Sequence, residues 1–279
     1  MLLFRYFGSH AFETLRDNLL KTAAVATLND PFELLYQLTG VMTPAKAKRY
    51  FKRRIKSDDF FHLAQQHNPA IKSKKDLKQF AGANQDKLIG NLVSSYSRLK
   101  AEGFVEKMAE RSMRVICFSD CTVESLDEIL IWSHYANKHT GIRIGFEFPE
   151  GIKYPFKVIP IDYRKERVAL NLSEGADSIQ VQNAMLETIK VKSIAWKYEC
   201  EHRLITVPDF CELKLVQNNE PAHFFRFKRD WVKFVDFGVR TSTKEIQIMK
   251  EFLQKEYPSV QLRKAVFHST DYALKYQAV

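Results

Sequence analysis

The sequence predicts an α+β fold, a mixed and mostly antiparallel sheet with a lysine-rich helical insertion, and three observations carry that expectation. Short, aromatic-rich strand patterns are mixed with helical ones without a regular βαβ rhythm. The stretch "HTGIRIGFEF" has a clean period of two, with Ile142, Ile144, Phe146 and Phe148 on one face and Arg143 and Glu147 on the other. From about Leu34 to Arg111 the pattern is helical and rich in lysine instead. The expected organisation is a single α+β domain over residues 1–279, with 34–112 as a helical insertion or lobe.

In chain order, "LLFRYFG" reads as a first strand, with an amphipathic helix from about Phe12 and a turn at "NDPFE", where Asp30-Pro31 stops regular structure. The lysine-rich block is broken at "NPA" and "AGANQ". Within it, "KLIGNLVSSYSRLKAEGFVEKMAER" fits one long helix face, with Leu88, Leu92, Tyr96, Leu99 and Met108 inward. "RVICFSD" is a strand, and "SLDEILIWSHYAN" a helix whose Ser125 and Glu128 have capping-box spacing. Further strands are expected at "FKVIPIDY" and "HRLITV", with a helix around Ile179 to Lys190 between them. The C-terminal part reads as strand, helix and strand over "WVKFVDFG", "TSTKEIQIMKEFLQKEYP" and "VQLRKAVFH".

With 279 residues, 45% of them hydrophobic and 13% aromatic, the chain can bury a substantial core. The 43 basic residues against 33 acidic ones give a net charge of +10, which biases the surface toward nucleic acid, nucleotides or anionic lipid. No apolar run reaches the roughly 18 residues of a membrane span. The start, "MLLFRYFGSH", has too short an apolar run for a signal peptide. A cytoplasmic protein with no membrane partner is expected, and its four cysteines, Cys117, Cys121, Cys200 and Cys211, read as reduced thiols. Their spacing lacks the paired Cys-x2-Cys pattern of a zinc site, and no metal is expected.

The chemistry-bearing candidates begin with "AWKYECEHRL". Read as a strand, it places Glu199, Glu201 and Arg203 on one face, the two carboxylates roughly 7 Å apart. One reading is a strand ladder whose acids are neutralised by Arg203 and another cation. The other is a general base and an oxocarbenium stabiliser, with Arg203 beside the substrate. Arg5, between Leu3 and Phe7, either pairs with Glu199 or Asp30 or offers a planar charged fork to phosphate or ribose. Ser119 ends a strand, where it serves a turn or a ligand. Trp132, His134, Tyr135 and His139 gather at one helix end, either packed or able to stack a nicotinamide or base. A metal site from His134, His139 and Glu147 ranks last, because histidines five positions apart do not match helical zinc geometry. In "AKAKRYFKRRIK", seven cations in eleven residues are interleaved with Tyr50 and Phe51. Lys48, Arg49, Lys52, Arg53 and Arg54 there form either a solvated helix face or a surface for nucleic acid or a partner protein.

The segments "LLFRYF", "LNDPFE", "VICFSD", "WSHYANKHTGIRIGFEF" and "WKYECEHRL", in this order, resemble a bacterial family catalogued as domain of unknown function 2971. The resemblance covers the N-terminal forty residues and then about Arg114 to the C-terminus, leaving the lysine-rich block as an elaboration. It implies a bacterial cytosolic protein of the kind suspected of roles in phage defence, and it supplies no activity. A second resemblance is to ADP-ribosyltransferases of the arginine-serine-glutamate kind, carried by Arg5, Ser119 and Glu199-x-Glu201 in that order, with "FSD" standing where those enzymes have Ser-Thr-Ser. It implies NAD as substrate, cleaved by a transferase or glycohydrolase acting as a toxin or in defence. On this resemblance Arg5 grips the ribose or pyrophosphate and Ser119 holds the nicotinamide ribose. Glu201 binds the 2′-hydroxyl and stabilises the oxocarbenium ion, while Glu199 orients the acceptor.

Overall fold

The computed structural model describes residues 1–279 except 41, 102–103, 121–125, 150–155, 172–182, 184–185 and 217–218. The chain opens with β1 (Leu2–Phe7), α1 (Ala11–Asp17) and β2 (Leu19–Lys21), then β3 (Tyr36–Thr39). The lysine-rich stretch folds as α2 (Pro44–Arg54), α3 (Asp58–His67), α4 (Lys74–Ala83), α5 (Gln85–Ala101) and α6 (Phe104–Ser112). After it come β4 (Arg114–Ser119), α7 (Leu126–Tyr135), β5 (Ile142–Glu147), β6 (Lys157–Pro160), β7 (Asp162–Arg164) and β8 (Val168–Asn171). The remainder is β9 (Val191–Ser193), β10 (Glu201–Thr206), β11 (Glu212–Leu215), β12 (Pro221–Arg226), β13 (Val232–Phe237), α8 (Thr243–Glu256), β14 (Gln261–Phe267) and β15 (Leu274–Ala278). The α+β class is the one expected. Two compact units result, one of residues 1–33, 109–166 and 190–279, the other of 34–108 and 167–189.

In the first unit an eight-stranded sheet runs β15-β14-β13-β5-β1-β4-β10-β6. Its described ladders are antiparallel except for β13 and β14, which α8 joins as a parallel pair. α8 begins with a capping box, the Ser242 side chain accepting from the Glu245 amide while Glu245 reaches back to Ser242. A three-stranded sheet, β11-β12-β2, and a parallel pair, β7 with β9, complete the unit.

The two faces of the large sheet hold different things, and strand alternation decides which. One face presents Leu3, Phe118, Ile144, Phe146, Val235 and Phe237 to a core that also takes Leu15, Leu20, Phe225, Met249 and Leu253. The other presents Phe4, Tyr6 and Arg143 toward α7, as the pairings of Phe4 with Gly145 and Tyr6 with Arg143 dictate. A Cβ at Gly145 would lie 3.0 Å from the Phe4 ring and 3.2 Å from Phe234, so glycine lets three strands close up there.

Arg143, which the alternation placed only opposite the apolar positions of its strand, is fully buried. Its Nε donates to Asp236 at 2.7 Å, its Nη1 to Glu128, and Arg263 closes the far side of Asp236 at 2.6 Å. The guanidinium lies between the rings of Phe4 and Tyr276, 4.3 and 4.2 Å from their centroids. Trp132 joins this network, donating to the Tyr276 hydroxyl at 2.9 Å. Ser125, the other half of the expected capping box at the start of α7, lies outside the described residues, as does Cys121. Cys117 and Cys211 are free thiols.

In the second unit β3 and β8 pair in parallel, and Met42, Ala47, Ile89 and Tyr96 form a small core. The breaks between its helices are made by caps: Thr43, Ser57 and Ser73 accept from the amides of Lys46, Phe60 and Asp76. The single long helix expected over 87–111 is α5 followed by α6, with the two positions between them outside the described residues. Of its inward candidates Tyr96 is buried and Leu88 and Leu92 are half-buried, while the side chains of Leu99 and Met108 lie outside the described residues. Of the helix expected around Ile179 to Lys190, positions 183 and 186–189 are helical and 179–182 and 184–185 lie outside the described residues. No helix among the described residues is long and apolar enough to cross a membrane.

Asp236→Ala should cost about 3–5 kcal/mol, because it leaves the Arg143 guanidinium buried with only Glu128 as counter-charge. Urea unfolding of the variant against the parent measures it, and a loss under 1 kcal/mol would show that the network carries little of the fold.

Candidate active site

"AWKYECEHRL" is not one strand. Residues Ile194–Glu199 form a 3-10 turn, Cys200 takes the left-handed conformation at φ 45 and ψ 47, and β10 starts at Glu201. Only Glu201 and Arg203 therefore share a strand face, and Glu199 reaches the same place by the reversal at Cys200. A non-glycine residue pays a steric penalty in that region. Backbone bonds hold the turn: Asp120 N donates to Cys200 O at 2.9 Å, and Glu201 N donates to the Tyr163 hydroxyl at 2.7 Å.

Register sets the rest. Ser119 pairs with Phe4 on one side and Glu201 on the other, and Cys117 pairs with Arg203, so Phe4, Ser119, Glu201, Cys117 and Arg203 belong to one face of the sheet. That face floors a cleft of about 260 Å³, walled by Leu28, Asn29, Ile131, Tyr135, Lys192 and Glu199, with Arg5 at its border.

Lys192 is the hub of the charged groups. Its ammonium is buried, 2.6 Å from Glu199 Oε2, 3.1 Å from Glu201 Oε2 and 3.6 Å from Glu33 Oε1. Arg203, fully buried, donates through Nε to Glu201 at 2.7 Å and through Nη2 to Glu33 at 2.6 Å. The Tyr135 hydroxyl donates to Glu199 Oε1 and itself accepts from Asn29 Nδ2 at 2.8 Å.

Within this cluster the two neighbouring acids are driven apart. Burial pushes the Glu199 carboxyl above the ordinary value, and the opposing pull of Lys192 and Tyr135 does not cancel it. Burial acts on Glu201 too, but Arg203 and Lys192 outweigh it and hold that carboxyl at about 2. Near neutral pH Glu201 is thus a fixed anion, while Glu199 is the group whose proton affinity has been raised toward the working range. Burial and the nearby Glu201 push the Cys117 thiol up, so it is not a thiolate nucleophile.

The sequence-derived candidates divide. Ser119, Tyr135, Glu199 and Glu201 line one cleft, and Arg203 lies behind Glu201 as its counter-ion instead of facing the space. Arg5 borders the same cleft, and only its expected pairing with an acid requires correction. Alternation along β1 puts it on the face of Leu3 and Phe7, its Nη2 donates to the Lys21 carbonyl oxygen at 3.3 Å, and its guanidinium sits 5.6 Å from the Phe7 ring centroid. No ion pair joins it to Glu199 or Asp30 among the described residues.

Trp132 is also corrected: with no exposed surface and an edge-on contact to Tyr6 it is a core residue, not a stacking platform. His134 is exposed outside the cleft and bonded through Nδ1 to the Tyr198 hydroxyl at 2.9 Å, while His139 bonds Ser133 at 3.0 Å and Glu147 pairs with Lys233 at 3.4 Å. These last three do not converge on a metal.

On α2, Lys48, Arg49, Lys52 and Arg53 are exposed at helical spacing, and Arg54 is half-buried against Phe60. Sequence reasoning missed Lys192, Glu33 and Asn29. Glu33 and Asn29 lie in the "LNDPFE" segment that carried the family resemblance, and Lys192 stands as a lone cation within β9.

Residues 131–204 match the family model described as "Protein of unknown function (DUF2971)". The chain carries a DUF2971 region. That region begins in the last two turns of α7 and ends in β10, so it contains Tyr135, Lys192, Glu199, Glu201 and Arg203. No curated protein and no solved structure matches the chain.

Proposed function

We propose that the cleft cleaves the N-glycosidic bond of NAD, as a transferase or glycohydrolase, with Glu201 and Glu199 in separate roles. The observation that supports this reading is the pair of adjacent carboxyls in one cleft whose environments push their ionisation in opposite directions. A cleft of about 260 Å³ suits the nicotinamide-ribose end, with the rest of the dinucleotide outside.

In this mechanism the C1′–N bond breaks and its electron pair goes to the pyridinium nitrogen, so nicotinamide leaves neutral and needs no proton. Positive charge develops on the ribose, and the Glu201 carboxylate, kept ionised by Arg203 and Lys192, lies beside it. The acceptor, water or a side chain or a nucleotide, attacks C1′ and gives its proton to Glu199. In this reading Ser119, the direct partner of Glu201 across the sheet, holds a ribose hydroxyl. Lys192 and Tyr135 position Glu199.

Purified protein should release nicotinamide from NAD, and Glu201→Gln should lower that rate by about 10²-fold or more with an unchanged circular dichroism spectrum. Because Glu199 must be unprotonated to act, activity should rise with pH along a limb centred above the ordinary carboxylate value of 4.5, and Glu199→Gln should remove the limb. Absence of NAD binding together with no release for any acceptor offered overturns the proposal.

A second reading rests on α2 and involves no catalysis: its exposed cations bind nucleic acid. Lys52→Glu, Arg53→Glu and Arg54→Glu together should reduce salt-dependent binding of RNA or DNA in a filter or fluorescence assay by about tenfold or more. Equal binding by this variant and the parent removes that reading.

A further inference from the structure

We infer that the cavity bounded by Arg5, α1 and the strands β2, β11 and β12 is a second site, one that takes a small phosphate ester. It measures about 550 Å³ and is bordered by Arg5, Phe7, Lys21, Lys214, Leu215 and Phe224; Arg5 also borders the catalytic cleft, but Glu199 and Glu201 do not reach this cavity.

Arg5 supplies the first observation. Its Nη2 is committed to the Lys21 carbonyl oxygen at 3.3 Å, but its Nη1 is buried without a hydrogen-bond partner among the described residues. Leaving a charged donor unpaired is unfavourable, and native structures rarely do so without a ligand, ion or water to complete it. The guanidinium fork suits an oxyanion, and no carboxylate among the described residues takes that place.

The charge around it supplies the second. Arg16 is occupied by Asp17 at 2.8 Å. That leaves Arg5, Lys21 and Lys214 against Glu13 and Glu220, a net positive lining. Two exposed ammonium groups beside a partly buried guanidinium favour a doubly charged phosphate over a single carboxylate.

The third is apolar. Leu215 is 68% exposed on β11, the edge strand of its sheet, and Phe224 and Phe7 border the same space. Bare phosphate would leave that surface wet, whereas an ester with a ring or carbon skeleton covers it. The ligand is therefore an organic phosphate of mononucleotide size or smaller.

The test is calorimetric titration of the full chain with AMP, glycerol 3-phosphate and inorganic phosphate. Saturable binding is expected, tightest for an ester and weakest for inorganic phosphate, and weakening with added salt. Arg5→Met should weaken it roughly tenfold or more. Lys21→Glu with Lys214→Glu, both exposed and so safe for folding, should do the same if Arg5→Met fails to fold. Glu201→Gln should leave it unchanged. No saturable binding of any of the three probes overturns the inference, as does binding that survives the double lysine variant. Binding lost in Glu201→Gln overturns it too, because the ligand then belongs to the catalytic cleft. None of these outcomes depends on whether the protein turns over NAD.

Discussion

A buried ammonium among three carboxylates is the constraint on which the candidate site depends. Glu33, Glu199 and Glu201 converge on Lys192, and Arg203 joins Glu33 to Glu201, so two cations meet three acids beside a cleft. Such charges are expensive to desolvate, and only close, multiply bonded geometry offsets that cost. The chain accepts further strain to achieve it. Cys200 adopts a left-handed conformation so that Glu199, outside the strand, can turn back onto the same lysine as Glu201.

The same sheet face carries a second buried charge cluster, and the contrast between them separates structure from chemistry. Around Arg143, two arginines meet Glu128 and Asp236 in balance, with aromatic rings covering the guanidinium. That cluster is closed and reads as a device for joining α7 to the sheet. Around Lys192 there is one acid in excess, the groups border open volume, and the two neighbouring carboxyls differ in proton affinity. A surplus anion facing a cavity is a poor way to stabilise a fold and a suitable way to meet developing positive charge.

Much of this was legible in the residue pattern. The alternation of "HTGIRIGFEF" located β5, the stop after Ser119 ended β4 where the structure ends it, and capping residues explain the broken lysine-rich helices. The acid pair was singled out because two carboxylates so near each other need a partner. The pattern failed where a turn stood in for a strand: Tyr-Glu-Cys-Glu has period two on paper, and only the left-handed Cys200 interrupts it. It failed again at Lys192, since nothing local distinguishes a lysine bound for three distant acids from one bound for water. Trp132 was misjudged for the same reason, its burial being set by β15, a strand some 140 residues away. Arg5 was correctly marked as an arginine in apolar company, but its partners are fixed by β2, which the sequence did not reveal.

The account turns on the claim that adjacent carboxyls in one cleft have their proton affinities shifted in opposite directions. Carbon-13 NMR of the glutamate side-chain carboxyls, assigned with Glu199→Gln and Glu201→Gln, measures it directly across a pH titration. The account predicts that the Glu199 signal titrates above the ordinary value of 4.5 and the Glu201 signal near 2. Two carboxyls titrating together at the ordinary value would contradict it.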